Sequence, residues 1–473
     1  MIEVRSGFSN PPLSEAVFFP FDDVSVPFSA GLRLHLVPCK KGGIVLRPGQ
    51  PGEPDDQTVR FYGTVLQVND ELRMWYQARG SLDRGPESGR QRRLCHAVSR
   101  DGVRWEKPPL GLVEYNGTSQ NNIVGLLAGR CVLGATPILH DPDDPDPSRR
   151  FKTAFQSEVY QDRLAVAFSP DGLRWTESPR NPVGPRLEQS GLIKRDRCYY
   201  VNGQGGAHFG ALRKLVTHAS YDFERWTPSS CLGLRRDSIP PRRTATERNT
   251  DEEVHLGAGL SDRGNVLLGV YGMWHGHPTG DPNLITMDLG LVVSHDALHY
   301  REPIPDFRLI PCAGEPGIRP GTGPALTQGQ GMCNVGDRTL FWYETWRDGD
   351  VRLAFWPRDR LGYFEAFQTN APHCVTCPMR LDGSAARVCA NVDGLSEHTT
   401  LTVELSDARF HPLPGYSGDD AVPLRASGLR QPVAWKKTDL VRGIGGPFRL
   451  RASIGGLRPE DARLYALYVT SEP

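Results

Sequence analysis

From residue 58 onward, short apolar runs alternate with polar stretches, and the same order of runs recurs five times. Each round opens on a run rich in small and apolar residues: FYGTVLQV, LGATPILH, QSGLIKRD, HLGAGLSD and QGQGMCNV. An aromatic-rich run follows: ELRMWYQA, RRFKTAFQ, DRCYYVNG, NVLLGVYGMW and RTLFWYET. A polar loop then leads to a third run: LCHAVS, LAVAFS, LVTHAS, LGLVVS and VRLAFW. The round closes on a phrase written most plainly as SRDGVRWEKP from Ser99 and SPDGLRWTES from Ser169. Looser forms are ASYDFERWTP, VSHDALHYREP and LAFWPRDRLGYFEA. Runs this short, bounded by turn residues, have the length of strands rather than helices. In the closing phrase Asp-Gly predicts a tight hairpin turn, with the Trp starting an outer strand.

Four short antiparallel strands per round, repeated five times, predict a five-bladed β-propeller; a β-sandwich with chance resemblances is the alternative. Trp105, Trp175 and Trp226 are expected to pack between blades. After residue 366 the texture changes. HTTLTVELSD, PVAWKK, PFRLRASIGG and ARLYALYV alternate with period two and predict a C-terminal antiparallel β-sandwich. The expected fold is therefore all-β, with a propeller over residues 1–366 and a sandwich over 367–473. Residues 1–52 would be a lead-in that packs on the ring or completes a blade.

Composition narrows the function. The chain has 473 residues, with 55 Lys+Arg balanced by 55 Asp+Glu. That balance gives no footprint for nucleic acid. No apolar run reaches the roughly 20 residues of a membrane-spanning helix. The opening MIEVRSGFSNPPLSEAVFFPFDDV lacks the pattern of a secretory leader, so the chain is expected to work in the cytoplasm. The ten cysteines have no regular spacing and are expected to be buried, reduced thiols. CVTC (Cys374, Cys377) has no second ligand pair, so no metal is assigned to it. HDPDDPDPSRR, at 140–150, lacks the closing Glu of a calcium loop and reads as a turn on the outer ring.

In a propeller, the segment leading into each inner strand and the loop after each second strand line the mouth of an axial funnel. Function concentrates in such loops. The first set offers Glu53, Asp55 and Asp56, then Glu188, then Asp251, Glu252, Glu253 and His255, then Gln328 and Gln330. The second set offers Tyr76, Gln77 and Arg79; Gln156 and Glu158; Asn202, Gln204 and His208; Trp274, His275 and His277; and Glu344, Trp346 and Arg347. Carboxylates, amides, Arg and His mixed with Trp and Tyr suit a carbohydrate: polar groups pair with hydroxyls, and aromatic faces stack on a sugar ring. Paired carboxylates suit glycoside hydrolysis, separated by roughly 5–5.5 Å for retention or roughly 6.5–9.5 Å for inversion. No GxSxG elbow and no nucleotide-binding glycine loop is present.

ELRMWYQ, SRDGVRWEKPPLGLVEYNGTSQNNIV, RRFKTAF and LAFWPRDRLGYFEA together resemble bacterial proteins grouped with glycoside hydrolase families 32 and 43. PLPGYSGDDAVPL, PVAWKK and ARLYALYV resemble the β-sandwich that such proteins often carry. The resemblance implies a five-bladed propeller in which three acids do the work: a nucleophile or base, an Asp that tunes a pKa, and a Glu acid. Glu188 falls where the proton donor would be expected. The NDPNG, RDP and EC motifs of family 32 are absent as such; FDD (Asp22, Asp23) and HDP (Asp141) are short echoes.

The expected function is hydrolysis of a glycosidic bond in the funnel. Glu188 would be the acid, with Glu253 or Asp56 as partner carboxylate. Tyr76, Trp274 and Trp346 would stack on sugar. Glu53, Arg79, Glu158, His208, His255, His277, Gln328, Gln330, Glu344 and Arg347 would position it. The partner is an oligosaccharide or glycoside. No cofactor is called for, although the funnel carboxylates leave room for a structural calcium ion. Alternatives are a non-catalytic carbohydrate-binding propeller and a glycoside phosphorylase or other carbohydrate-active enzyme, such as a sugar lyase. A phosphorylase should bring several cations to one point, for which Arg79, Arg347 and His277 are the candidates.

Overall fold

The computed structural model describes residues 1–8, 10–83, 92–129, 132, 134–205, 212–236, 249–315, 321–346, 349–368, 370–383 and 385–472. Among these the protein is all-β, with helix limited to short 3₁₀ turns.

The predicted rounds fold as antiparallel sheets in chain order. One holds Ile138–His140, Phe151–Phe155, Ala165–Ser169 and Thr176–Glu177. The next holds Glu188–Arg195, Cys198–Gly205, Lys214–Ser220 and Cys231–Leu234, and a third holds Glu252–Asp262, Leu267–His275, Thr286–Ser294 and Arg308–Ile310. The first and fifth rounds share one seven-stranded sheet: Thr58–Val68, Glu71–Arg79 and Arg93–Ser99 on one side, Leu326–Val335, Arg338–Thr345 and Val351–Pro357 on the other. A parallel contact between Gln330 and Thr64 joins the two sides. The first strands of the five rounds touch in cyclic order, each against the next and the fifth against the first.

Glycines explain how these strands come so close. A Cβ on Gly259 would lie 2.1 Å from the Gly329 carbonyl oxygen, and one on Gly191 would lie 2.2 Å from that of Ala258. The small residues of each opening run thus let backbone pack on backbone. Gln330 holds the centre: its Oε1 accepts from Leu192 N (2.6 Å), and its Nε2 donates to Leu192 O (3.0 Å) and Ile138 O (3.4 Å).

The closing phrase builds one turn four times. Asp101 Oδ1 accepts from Val103 N and Arg104 N, Asp171 Oδ1 from Leu173 N and Arg174 N, Asp222 Oδ1 from Glu224 N and Arg225 N, and Asp296 Oδ1 from Leu298 N and His299 N. The residue after each Asp is left-handed: Gly102 (φ 73°), Gly172 (78°), Phe223 (67°) and Ala297 (59°). Each turn packs against the preceding round. Trp75 Nε1 donates to Gly172 O (2.7 Å), and Trp342 Nε1 donates to Gly102 O (2.9 Å). Trp105 meets Trp342 edge-on at 5.8 Å.

The fifth phrase departs from this pattern. Gly362–Ala366, expected to close the fifth round, pairs instead with Arg463–Glu472 and Leu32–Leu36. The outer place in the fifth round is taken by Lys40–Leu46, paired with Val351–Pro357. Asp359 is the reason the fifth turn differs. It caps no turn and accepts from Arg263, Asn334 and Tyr468, which fastens the chain to the C-terminal sheets.

Two further sheets enclose one core. One runs Ile2–Val4, Met379–Leu381, Phe448–Gly456, His373–Val375, Phe28–Ala30, with Thr399–Asp407 also on Phe448–Gly456. The other runs Gly428–Pro432, Ala385–Asp393, Arg463–Glu472, Gly362–Ala366, Leu32–Leu36, joined by Glu15–Phe18 and Leu440–Val441. The chain's first strands therefore lie in sheets with its last ones. Alternation places Leu401, Val403, Leu405, Leu450, Ala452 and Ile454 in the core between them. Phe19, Phe21 and Tyr468 extend a second core to Leu268, Val270 and Leu291 of the fourth round.

Candidate functional site

Four of the five opening strands carry a register irregularity near their starts: between Arg60 and Thr64, Gln189 and Gly191, His255 and Ala258, and Gln328 and Met332. Such bulges bend a strand and re-aim its side chains. The one at His255-Leu256-Gly257 places Leu256 at φ 63°. A bulky residue rarely takes this conformation, and such strain gathers at functional sites.

A continuous arc of side chains is assembled at these strand starts. Glu188, half-buried, accepts from Gln204 Nε2 at 2.7 Å. Gln204 Oε1 accepts in turn from Leu256 N at 3.1 Å, which fixes the carboxylate beside the bulge. His255 lies 5.9 Å from Trp274, near-parallel, and 6.0 Å from Trp346. Burial, reinforced by Arg213, pushes the His255 imidazole down to about 3 against the pull of Glu188, so the ring is neutral. Trp346 continues the arc to Tyr62, whose ring is approached by Arg60 (5.8 Å) and Arg92 (5.7 Å). Burial, then Arg60, lowers Arg92 to about 10.

Glu344 completes the far end. It accepts from Arg60 Nη1 (3.0 Å), Thr327 Oγ1 (3.0 Å) and Phe61 N (2.6 Å). It is only 1% exposed, and burial raises its pKa despite Arg60 and Arg92. Its bonds tie the fifth round to the first, so it is a buried clamp rather than a direct ligand for sugar. Glu253, also buried, accepts from Arg213 N (2.9 Å) and Arg213 Nη1 (3.3 Å). The Arg213 guanidinium lies 4.0 Å over the Trp274 ring. Glu253 and His255 share a strand face two residues apart, as alternation predicts.

Several expected contacts are not available to a ligand. Tyr76 is fully buried; its hydroxyl donates to Asp55 Oδ2 and accepts from Asn122 Nδ2, each at 2.7 Å. Trp274 is 1% exposed beneath Arg213, so its face cannot receive a sugar. Gln328 donates to His255 O (3.1 Å) and Gly257 O (2.9 Å), and, like Gln330, holds backbone. Asp56 accepts from Gly52 N, Ser81 N and Ser81 Oγ at 2.6–2.7 Å. Burial works against it, but these bonds win and keep the Asp56 carboxyl below its ordinary range. It shapes a loop rather than presenting a reactive group.

Exposed Glu53 caps Gln50 N in that loop. Arg79 lies within electrostatic reach of Arg92. Glu158 starts a short 3₁₀ turn, and half-buried His277 pairs with Thr279. His208 and Arg347 lie outside the described residues. His275 sits between Glu252 Oε2 (2.8 Å) and Asp288 Oδ2 (3.0 Å). Burial would lower it, but Asp288 and Glu252 prevail and raise it to about 8.

The echo residues are structural. Asp22 is buried against His295 at 2.8 Å. Asp141 is gripped by Lys152, Lys194 and Tyr199. Asp146 caps the 3₁₀ turn Pro147–Arg149 in the connection between the second round's first two strands. Cys374 and Cys377 are buried thiols, each pushed up to about 12 chiefly by burial. Among the described residues no His, Cys, Asp and Glu cluster could hold a metal ion.

Sequence reasoning missed Arg60, Tyr62, Arg92 and Arg213. Arg60 and Tyr62 had a signal: a cation and an aromatic inside the small-residue strand VRFYG. Arg92 and Arg213 stand at the far ends of the loops that follow the second strands, one residue before the third strands, whereas the candidates were drawn from nearer the starts of those loops.

No family model matches the chain, and no curated protein matches it. Solved structures do. One is described for the GH130 family of mannoside phosphorylases, which contains glycoside hydrolases that target beta-1,2 mannosidic linkages in Candida mannan. It is 15% identical with a TM-score of 0.44, over 68% of this chain and 95% of that one. A glycosyl hydrolase from Bacteroides ovatus is 16% identical with a TM-score of 0.44, over 67% and 92%. A thermostable family-43 glycoside hydrolase is 13% identical with a TM-score of 0.41, over 67% and 93%. Likeness at this level says nothing of what this chain binds or turns over.

Proposed function

We propose that the chain is a carbohydrate-active enzyme that cleaves a glycosidic bond at the mouth of a five-bladed propeller. The ring comprises the five rounds with Lys40–Leu46 as the outer strand of the fifth. The two C-terminal sheets form a sandwich that also takes in the strands of residues 2–36. The observation that carries the reading is Glu188: a half-buried carboxylate, held by Gln204 beside a strained bulge, with a neutral His255 and the partly exposed Trp346 next along the arc.

In this reading Glu188 protonates the leaving oxygen. Glu253, two residues before His255 on the same strand, is the partner carboxylate, and it becomes open to water or sugar when the more exposed Arg213 side chain turns away from it. Trp346 supplies the apolar face for a sugar ring. The test is turnover of a panel of aryl glycosides and oligosaccharides, with and without phosphate, by wild type, Glu188→Gln and Glu253→Gln. Phosphate-independent hydrolysis lost in both variants is the expected result. Turnover unchanged in Glu188→Gln would remove the assignment.

A second reading has its own observation. Arg60 and Arg92 lie within electrostatic reach of the buried carboxylate Glu344, with Arg79 within reach of Arg92, and such a grouping of guanidinium groups suits phosphate. Cleavage that requires phosphate, and is lost in Arg92→Ala, would make the chain a phosphorylase.

A further inference from the structure

The sheet that contains Phe448–Gly456 turns a polar, partly hollow face outward, away from its core. Thr399–Asp407 and Phe448–Gly456 pair with Glu404 opposite Arg451 and Thr402 opposite Ser453. His373 lies beside Ser453, and Val375 beside Arg451. Phe28 is the next residue across from Val375. Alternation sends Leu401, Val403, Leu450 and Ala452 inward and leaves this second set outward.

A hollow of about 240 Å³ opens on this face, bordered by His373, Glu404, Ser406, Phe410 and Arg451. Phe410, which borders it, is 50% exposed, and its neighbour Phe28 is 47% exposed. They meet edge to face at 5.4 Å, and Arg449 stacks on Phe410 at 4.5 Å. The loop that carries Phe410 is built to hold it there. Asp407 Oδ1 accepts from Arg409 N and His411 N, and Phe410 sits at φ 72°. A bulky residue seldom takes this conformation, and here the result is a large ring turned toward solvent.

The polar groups are incompletely used. Arg451 Nε is buried without a hydrogen-bond partner, and no ion pair joins Arg451 to Glu404 across the strands. Glu404 Oε1 accepts from Gly418 N at 2.8 Å. Arg451 also borders the hollow, which puts its guanidinium beside any ligand oxygen held there.

We propose that this face is a saccharide-binding site, separate from the strand starts of the ring. A pyranose lays its apolar face on the exposed part of Phe410 that Arg449 leaves open, with Phe28 as a wall at right angles to it, while Arg451 donates to one hydroxyl and Glu404 accepts from a neighbouring one. A fixed aromatic platform with a donor and an acceptor beside it is the chemistry of a ring that is apolar on one face and hydroxylated at its edge. The site would hold the chain on a polymeric substrate without taking part in bond cleavage.

The test is calorimetric binding of the full chain to hexaoses of glucose, mannose and xylose and to an oligogalacturonide. Wild type is compared with Phe410→Ala, Arg451→Ala and Glu188→Gln. Phe410 is half exposed, so its removal does not threaten the core. The proposal expects binding to at least one oligosaccharide, weakened about tenfold or more by Phe410→Ala and by Arg451→Ala, and intact in Glu188→Gln. Phe410→Ala should keep full turnover of small glycosides wherever wild type has any. Binding weakened only by Glu188→Gln would belong to the ring and overturn the proposal. So would a wild-type chain that binds none of the four.

Discussion

The outer turns and the inner strand starts lie at the two edges of the same sheets, and they are written in opposite ways. The turn is nearly one sentence repeated: Asp accepts from two backbone amides, the next residue is left-handed, and a Trp or Tyr folds back over the turn. Each copy faces the same task, to pack on the preceding round, so one solution serves four times. The strand starts share no sentence. They present Arg60, Gln189, His255 and Gln328 at corresponding bulges. Arg60 and His255 reach one arc from different sheets, while Gln189 and Gln328 hold backbone beside it, and a site needs different groups at different points. Repetition therefore marks architecture, and its failure marks the place to look for chemistry.

The comparison can be broken most forcefully at the arc. Glu188→Gln should cut turnover by about 10²–10⁴-fold while leaving the unfolding midpoint near wild type. A matching loss of stability would make Glu188 another packing residue. At the other edge, Trp75→Ala removes a fully buried indole that donates to the next round's turn. It should cost about 3–5 kcal/mol of stability, read from denaturant unfolding, with turnover per folded molecule little changed.

His275 sharpens the boundary, because it lies at the strand-start edge yet serves stability. Its pKa, ordinarily near 6.5, is raised to about 8 by Asp288 and Glu252 against burial. The stabilisation is fully present below pH 6.5 and is lost as pH rises through 8, about 2 kcal/mol in all. Unfolding measured from pH 6 to 9 should show that decline in wild type and a flatter profile in His275→Gln. The smallest effect belongs to Asp171→Ala. It removes the acceptor for two turn amides and should cost about 1–2 kcal/mol, with turnover unchanged.

Much of the all-β fold was legible, because strand periods, turn residues and a repeated phrase are local signals. FYGTVLQV, NVLLGVYGMW and RTLFWYET fall in strands much as their patterns imply. What escaped was long-range pairing. Nothing local in KKGGIVL says that it pairs with VRLAFWP some 300 residues later, or that EAVF joins the final strand. The closing Asp of the fifth phrase looked like its counterparts, but Asn334 of its own round, and Arg263 and Tyr468 from about 100 residues away, claim it.

The site was legible only in part, and for a related reason. Residue type and loop position singled out Glu188, His255 and Trp346, which the fold places along one arc. The same criteria selected Tyr76, Trp274 and Gln328, whose burial is decided by neighbours in other rounds. Aromatics and amides serve a core as well as a ligand, and only the packing around each distinguishes the two.

The most direct test compares Glu188→Gln with wild type on two aryl glycosides of the responsive sugar. One carries a dinitrophenolate leaving group that needs no proton; the other carries an unactivated alcohol that does. If Glu188 is the proton donor, the variant should lose far more activity on the alcohol glycoside than on the activated one. An equal loss on both, or none on either, would contradict the account.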